Sequence, residues 1–319
     1  MVSKATNSSN RTLSLVEKLR EQSAIFRMRV RGLLHPGDFE ELFRGFAEYD
    51  SLLESYSGKS LEGARVLEIG YGARPNRLLA LTSIGVAAFG VDLDQPVLHG
   101  RPMEFWRIYQ KNGLERAFKS LVRHYVFDRF ERWHLNAALR RRGKSLRIFD
   151  DRFLVGDAAD LDLVADSLDL IFSEDVFEHI PRASLERLVS RMGCWLVADG
   201  LCLISINCYP GIAGGHLAEW FPHRVEEDIT RASEPWEHLR KNRFRSDTFL
   251  NKLFRREYRE LLAGHFDILA ELVRYPDLGR RYLTAEVREA LKQYPEDELF
   301  SSSILFVLRH RVQMPNNLT

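Results

Sequence analysis

Apolar residues recur every third or fourth position from Leu13 to Leu34 and again from Asp38 to Tyr56, where Phe39, Leu42, Phe43, Phe46, Tyr49, Leu52 and Leu53 share one side of a helix. Pro36 and Gly37 separate these two helices, and Asp38 is placed to cap the second. Beyond residue 60 the rhythm changes. "ARVLEIG", "AAFGVDL", "RFLVGD", "LDLIFS" and "LCLISIN" are short apolar runs bounded by Gly, Asp or Asn, and helical segments separate several of them. Such alternation predicts an α/β fold, a parallel sheet with helices on both faces. The helix from Ala183 to Val197 carries a core stripe of Leu185, Leu188, Val189, Met192 and Leu196, and Asp199-Gly200 is expected to end it. Another helix is expected after Ser246, with Phe249, Leu253, Tyr258, Leu261 and Leu262 on its apolar side and Gly264 at its close. Two last strands, "HFDILAELVRY" and "SSSILFVLRH", follow.

Composition narrows the class. The chain has 319 residues, 45% hydrophobic and 29% charged, enough for a large core without crosslinks. A net charge of +1 gives no global attraction to nucleic acid or membrane. Cys194, Cys202 and Cys208 form no CxxC pair, which argues for a reducing compartment and against structural zinc. No apolar run reaches the roughly 18 residues of a membrane span, and the polar start "MVSKATNSSNR" lacks the apolar core of a secretory signal, so a cytoplasmic location is expected. Two segments exceed ordinary loops, Pro96 to Phe149 and Tyr209 to Arg245. Between Arg101 and Arg147 the first holds thirteen basic and four acidic residues, a net +9. Its apolar positions, Phe105, Trp106, Ile108, Leu114, Phe118, Leu121, Val122, Tyr125 and Val126, have helical spacing and predict two or three amphipathic helices forming a cap. Such a cap either packs its stripe on the sheet with solvated charges outside, or recruits an anionic acceptor or surface.

The chemistry begins at "VLEIGYGARPN". A strand ending in a glycine turn that feeds a helix presents backbone N–H groups to a nucleotide-like ligand. Counting from Gly70, the third glycine of a dinucleotide fingerprint is replaced by Pro75. Glu68, just before the turn, would repel a pyrophosphate but suits a cationic ligand, which argues against NAD. Asp92 ends the second strand, where a carboxylate can accept from both ribose hydroxyls. Asp157 ends the third, in "GDAADL", placed to accept from an exocyclic amine while the Ala158 amide donates to the ring; Ser173 and Glu174 end the fourth.

"VLEIGYG", "GVDLD", "VGDAADL" and "LDLIFSEDVFEHI" resemble the successive motifs of class I S-adenosylmethionine-dependent methyltransferases, over roughly Leu61 to Arg311. The resemblance implies a Rossmann-like, seven-stranded, mostly parallel sheet whose last strand inserts antiparallel beside the fifth. It implies S-adenosylmethionine as cofactor, with Glu68, Gly70, Tyr71 and Gly72 at the methionine part and Asp92, with Leu93 beside it, at the ribose. Asp157 and Ala158 would then meet the adenine, and Ser173 and Glu174 would complete the cofactor edge. The expected layout is a tail and helices over 1–60, the methyltransferase domain over 61–311 with insertions at 96–149 and 209–245, and a tail over 312–319.

Methyl transfer is an in-line displacement, so alignment supplies much of the rate and a base helps chiefly a hydroxyl acceptor. His179 in "DVFEHI" and His216 and His223 in "GGHLAEWFPH" are the candidates. Asp175, Glu178 and His179 are spaced to share a helical face, similar to the ExxEH of metal-dependent quinone O-methyltransferases, but a capping aspartate and a solvated glutamate explain the spacing, and no metal is expected. Cys208 reads as structural. "SEDV" lacks the Asn/Asp-Pro-Pro-aromatic box of exocyclic-amine methyltransferases, which disfavours nucleic-acid bases. The expected activity is transfer to a hydroxyl of a small-molecule or glycan-like acceptor, with an anionic one among the candidates. An N-methyltransferase and a catalytically silent cofactor-binding scaffold are the alternatives. The oligomeric state is open.

Overall fold

The computed structural model describes Ser23, residues 39–243 and residues 249–311. Apart from Ser23, the expected helix from Leu13 to Leu34 lies outside the described residues, as do Asp38, Ser246 and both tails. Seven strands form one sheet: β1 Arg65–Ile69, β2 Ala87–Asp92, β3 Phe153–Val155, β4 Leu168–Glu174, β5 Leu196–Asn207, β6 Phe266–Val273 and β7 Ser303–His310, in the order β3-β2-β1-β4-β5-β7-β6. The first five pair in parallel, and β7 enters antiparallel between β5 and β6. This is the expected Rossmann-like sheet.

The longer helices are α1 Glu40–Ser57, α2 Asn76–Ile84, α3 Pro102–Arg123, α4 Arg129–Arg140, α5 Arg182–Trp195 and α6 Arg255–Ala263. β4 explains why they fall on two faces. Successive side chains of a strand point to opposite sides, so Ile171 joins Leu185, Leu188 and Met192 of α5 and Tyr258 of α6. Leu170 and Phe172 join Tyr49 and Leu53 of α1 and Leu78 of α2. Both faces are covered, so "LDLIF" has no polar face. Tyr49 meets Phe172 at 5.1 Å between ring centroids, which locks α1 over the middle of the sheet.

Two expectations need correction. Asp199-Gly200 does not end a helix: α5 stops at Trp195 and β5 starts at Leu196, with a bulge between the Leu168–Leu196 and Leu170–Leu201 pairs absorbing the intervening residues. Phe249 and Leu253 precede α6, which begins at Arg255 because the Glu298 carboxylate accepts from the Arg255 and Arg256 N–H groups that a helix start leaves unpaired. In the basic insertion, α3 and α4 form as expected and are joined by a π-turn over His124–Asp128. Of the two arrangements left open for their apolar stripe, packing on the sheet is not the one seen: Ile108 is buried and Phe105 half-buried, whereas the other seven residues named above are exposed.

The 209–245 segment is packed. Ile212, Trp220, Val225 and Trp236 form a separate core with Leu278, Leu291 and Phe300. Among the described residues no helix is long and apolar enough to cross a membrane.

Phe172→Ala, which would remove the ring that seats α1, is expected to cost about 3–5 kcal/mol in chemical denaturation; a loss below about 1 kcal/mol would show that α1 is held some other way.

Candidate active site

Parallel strands end together, so Glu68, Asp92 and Glu174 reach one edge of the sheet, with Asp157 just beyond β3. Sequence reasoning assigned this row of negative charge to a cationic ligand, and the chain itself supplies a cation that the reading missed. Arg77, in the first turn of α2, donates to Glu68 at 3.1 Å and to Glu174 at 2.7 Å. Glu68 is 1% exposed, its second oxygen Oε2 is buried with no hydrogen bond, and burial raises its carboxyl above the usual range. Burial and then the Asp175 charge push Glu174 up to about 7.

The glycine turn is built for close approach. Gly70 has φ 83°, its N–H donates to the Val91 carbonyl at 2.8 Å, and a Cβ there would stand 2.3 Å from Val176 Cγ2. Gly72 has φ 69°, and no atom lies within 4 Å of where its Cβ would be. Asp92 is pinned by its own loop: Gly72 N–H donates to Oδ2 at 2.8 Å and Asp94 N–H to Oδ1 at 2.7 Å. Asp157 Oδ1 caps the following short turn by accepting from Ala159 N–H at 2.9 Å, and Ala158 is half-buried beside it. Leu93 is 64% exposed. Two expected contacts point elsewhere. The Tyr71 ring is buried and its hydroxyl donates to the Leu154 carbonyl, and the Ser173 hydroxyl, fully buried, donates to the Ile69 carbonyl. Those side chains brace the strands, leaving at most the backbone of Tyr71 to a ligand.

Beside this edge lies a cavity of 690 Å³, reached by Glu174 and Asp175 from β4 and its tip, Ser205 and Asn207 from β5, and His179, His216 and His223. The Phe177–His179 segment is a single 3₁₀ turn, so the expected helical face of Asp175, Glu178 and His179 does not form. Instead Glu178, 3% exposed, turns toward His216, with 3.8 Å from its Oε1 to His216 Nε2. The His179 and His216 rings lie 4.9 Å apart. His179 Nδ1 faces the Phe249 carbonyl at 2.9 Å. A carbonyl only accepts, so Nδ1 carries the hydrogen and Nε2 of the neutral ring holds the lone pair. Asp175 and His216 both adopt positive φ, 56° and 53°, a conformation non-glycine residues take mainly at turns and sites. His223 is exposed at the cavity rim. Glu178, His179 and His216 bring one donor atom each to within 4.8 Å of one another, a set that could hold a divalent cation. Cys208 is fully buried and its thiol is pushed well up by that burial, as a structural cysteine requires.

Residues 112–204 match a family model described as a methyltransferase domain, from α3 through β3 and β4 into β5. Over those residues, under a third of its length, the chain is similar to a methyltransferase domain. No curated protein matches it. Solved structures similar to this chain include the PH0226 protein of Pyrococcus horikoshii (16% identity, 84% of this chain and 91% of that one, TM-score 0.42). A TehB-like SAM-dependent methyltransferase of Corynebacterium glutamicum (13%, 87% and 99%, 0.38) and geranyl diphosphate C-methyltransferase of Streptomyces coelicolor (13%, 83% and 78%, 0.42) are further examples. The glycine turn and Asp92 precede the matched residues, so any part they play in a ligand site rests on geometry.

That geometry fits the cofactor: open space before Gly72, a fixed Asp92 carboxylate with lone pairs to spare, and a buried, partly unsatisfied Glu68. Two further positioning residues went unread. Asn251 Nδ2 donates to the Phe177 and Ile180 carbonyls at 2.8 and 3.1 Å, clamping the turn that carries His179. His238, fully buried and lowered to about 4 by desolvation, meets the Tyr209 carbonyl at 2.9 Å and backs the loop leading to His216. Their partners are backbone carbonyls dozens of residues away, and no local pattern encodes that.

A carboxyl raised in the fold keeps its proton after the unfolded chain has lost one, so Glu174 subtracts stability as pH climbs from 4.5 to about 7. Glu174→Gln should therefore gain on the parent across that window, by roughly 3 kcal/mol at most. Thermal melts of both proteins from acid to mildly alkaline pH check this; a constant difference would mean that Arg77 keeps Glu174 ionised throughout.

Proposed function

We propose that this methyltransferase transfers a methyl group to a hydroxyl of a small, neutral, glycan-like acceptor seated in the 690 Å³ cavity. The observation that carries the reading is His179: its Nδ1–H is committed to the Phe249 carbonyl, and its ring lines the cavity beside the tip of β4. Bound at the glycine turn, S-adenosylmethionine would supply a sulfonium methyl group. Asp92 would hold the ribose, Asp157 and Ala158 the adenine, and the Gly70–Gly72 backbone the methionine part. With that group in place, His179 Nε2 would accept the proton that the acceptor hydroxyl gives up on methylation. The His216 ring stands beside that ring, with Glu178 behind it.

The lining supports a neutral acceptor. Arg44 and Arg274 face Glu41, Glu48, Glu174 and Asp175, and Arg274 is paired with Glu48, so the cavity offers no net positive field to an anion. Ser205, Asn207 and His223 supply hydrogen-bonding groups suited to hydroxyls. A second reading, with a divalent cation on Glu178, His179 and His216, has the donor spacing in its favour; loss of turnover on exhaustive chelation, restored by added metal, would favour it over a histidine base.

Asp92→Ala is expected to weaken S-adenosylmethionine binding at least about tenfold by calorimetry with the fold intact, and unchanged affinity would refute the ribose assignment. His179→Gln is expected to lower kcat by about 10²- to 10⁴-fold with cofactor affinity retained. Incubation with methyl-labelled cofactor and neutral polyhydroxylated acceptors should yield a methyl ether; an N-methyl product, or tight binding without transfer, would overturn the proposal.

A further inference from the structure

Among the described residues, the basic insertion leaves unpartnered a face that its own packing does not explain. Gly113, at φ 83°, breaks α3, and from Leu114 helical backbone runs through the π-turn to Arg140. Leu114 (73% exposed), Phe118 (64%), Phe130 (54%) and Trp133 (65%) stand out along it, with Leu121, Val122, Tyr125 and Val126 exposed between them. Before the kink, Met103, Trp106 and Tyr109 are exposed as well. The opposite side, with Ala117, Ser120, His124, Phe127, Leu135, Ala138 and Leu139, is buried. An amphipathic helix normally hides its apolar stripe. Here a second apolar stripe faces outward, larger than the scattered apolar residues of an ordinary surface.

The charges are sorted too. All four acidic residues in 101–147 are turned inward or paired. Glu104 accepts from the Leu98, His99 and Arg101 N–H groups, Asp128 pairs with Arg123, and Glu131 pairs with Arg74. Only Glu115 remains outward, beside Lys119. Arg107, Arg129 and Arg140 are exposed and form no ion pair among the described residues. The outward face therefore combines large apolar side chains with uncompensated positive charge.

We propose that this α3–α4 face docks on an anionic lipid bilayer, lying in the interface with the aromatic and aliphatic side chains inserted and the arginines at the headgroups. Tryptophan, tyrosine and phenylalanine among arginine and lysine is the composition of an interfacial helix. A second copy of the chain fits less well, since two faces of like charge repel. Single-stranded nucleic acid would stack on the aromatics but leave Leu114, Leu121, Val122 and Val126 in water. The docking has a geometric consequence. Arg116 pairs with Asp94, and Lys111 donates to the Leu93 carbonyl at 2.9 Å, beside the tip of β2. Arg141 and Arg142 pair with Glu40 at the start of α1, whose Glu41 and Arg44 line the cavity. Docking would thus bring the edge of the sheet that carries the site toward the membrane surface.

Flotation of the full chain with phosphatidylcholine vesicles, with and without one-third phosphatidylglycerol, tests this. Binding is expected to the anionic vesicles, to weaken with salt, and to fall about tenfold or more in a Phe118→Ser/Trp133→Ser protein that melts like the parent. An Arg107→Glu/Arg129→Glu protein should lose the preference for anionic lipid. Absence of flotation, equal and salt-insensitive flotation with neutral vesicles, or self-association in sedimentation velocity that the same serine pair abolishes would each overturn the proposal, the last in favour of a second copy.

Discussion

Parallel strands that end in carboxylates concentrate negative charge at one edge of a sheet, and that charge has to be met by something. In this chain the Arg77 guanidinium spans the tips of β1 and β4, bonding Glu68 and Glu174 together. Backbone N–H groups of Gly72 and Asp94 do the same for Asp92. The compensation is incomplete: Glu68 keeps a buried unsatisfied oxygen, and both Glu68 and Glu174 are raised above the ordinary carboxylate range. An edge left in that state is suited to a ligand that brings donors and positive charge. The glycine turn, the cavity and the histidines all sit around it.

Much of this was legible in the sequence because it is local. Strand tips are adjacent to the turns that follow them, so an apolar run ending in Glu68, Asp92 or Glu174 announces both the strand and the carboxylate. The conformational freedom needed at Gly70 and Gly72 is visible in the residue type itself. The sheet and its antiparallel last strand followed from the alternation of runs together with the family resemblance. Tyr71 and Ser173 illustrate the limit, because belonging to a motif does not say which way a side chain points. Both turn to backbone carbonyls of neighbouring strands.

What escaped the sequence is contact at long range. Glu178 and His216 are 38 positions apart and meet because His216 takes a left-handed conformation and the loop behind it is pinned by His238. Nothing local to Arg77, at a helix start, marks it as the partner of two strand tips. The insertion stayed open for a different reason, since helical periodicity reveals that a face is apolar without revealing what covers it. The stripe is largely outside, and the burial comes from neighbouring positions such as Ala117, Ser120 and Leu135.

Binding of the adenosyl amino acid at the carboxyl edge is the claim on which the site description depends. A crystal structure of the chain grown with S-adenosylhomocysteine addresses it directly. Electron density is expected across the Gly70–Gly72 turn, with the ribose hydroxyls on Asp92, the base beside Asp157 and the sulfur toward His179. Density confined to another part of the surface, or a nucleoside lying with its ribose away from Asp92, would contradict it.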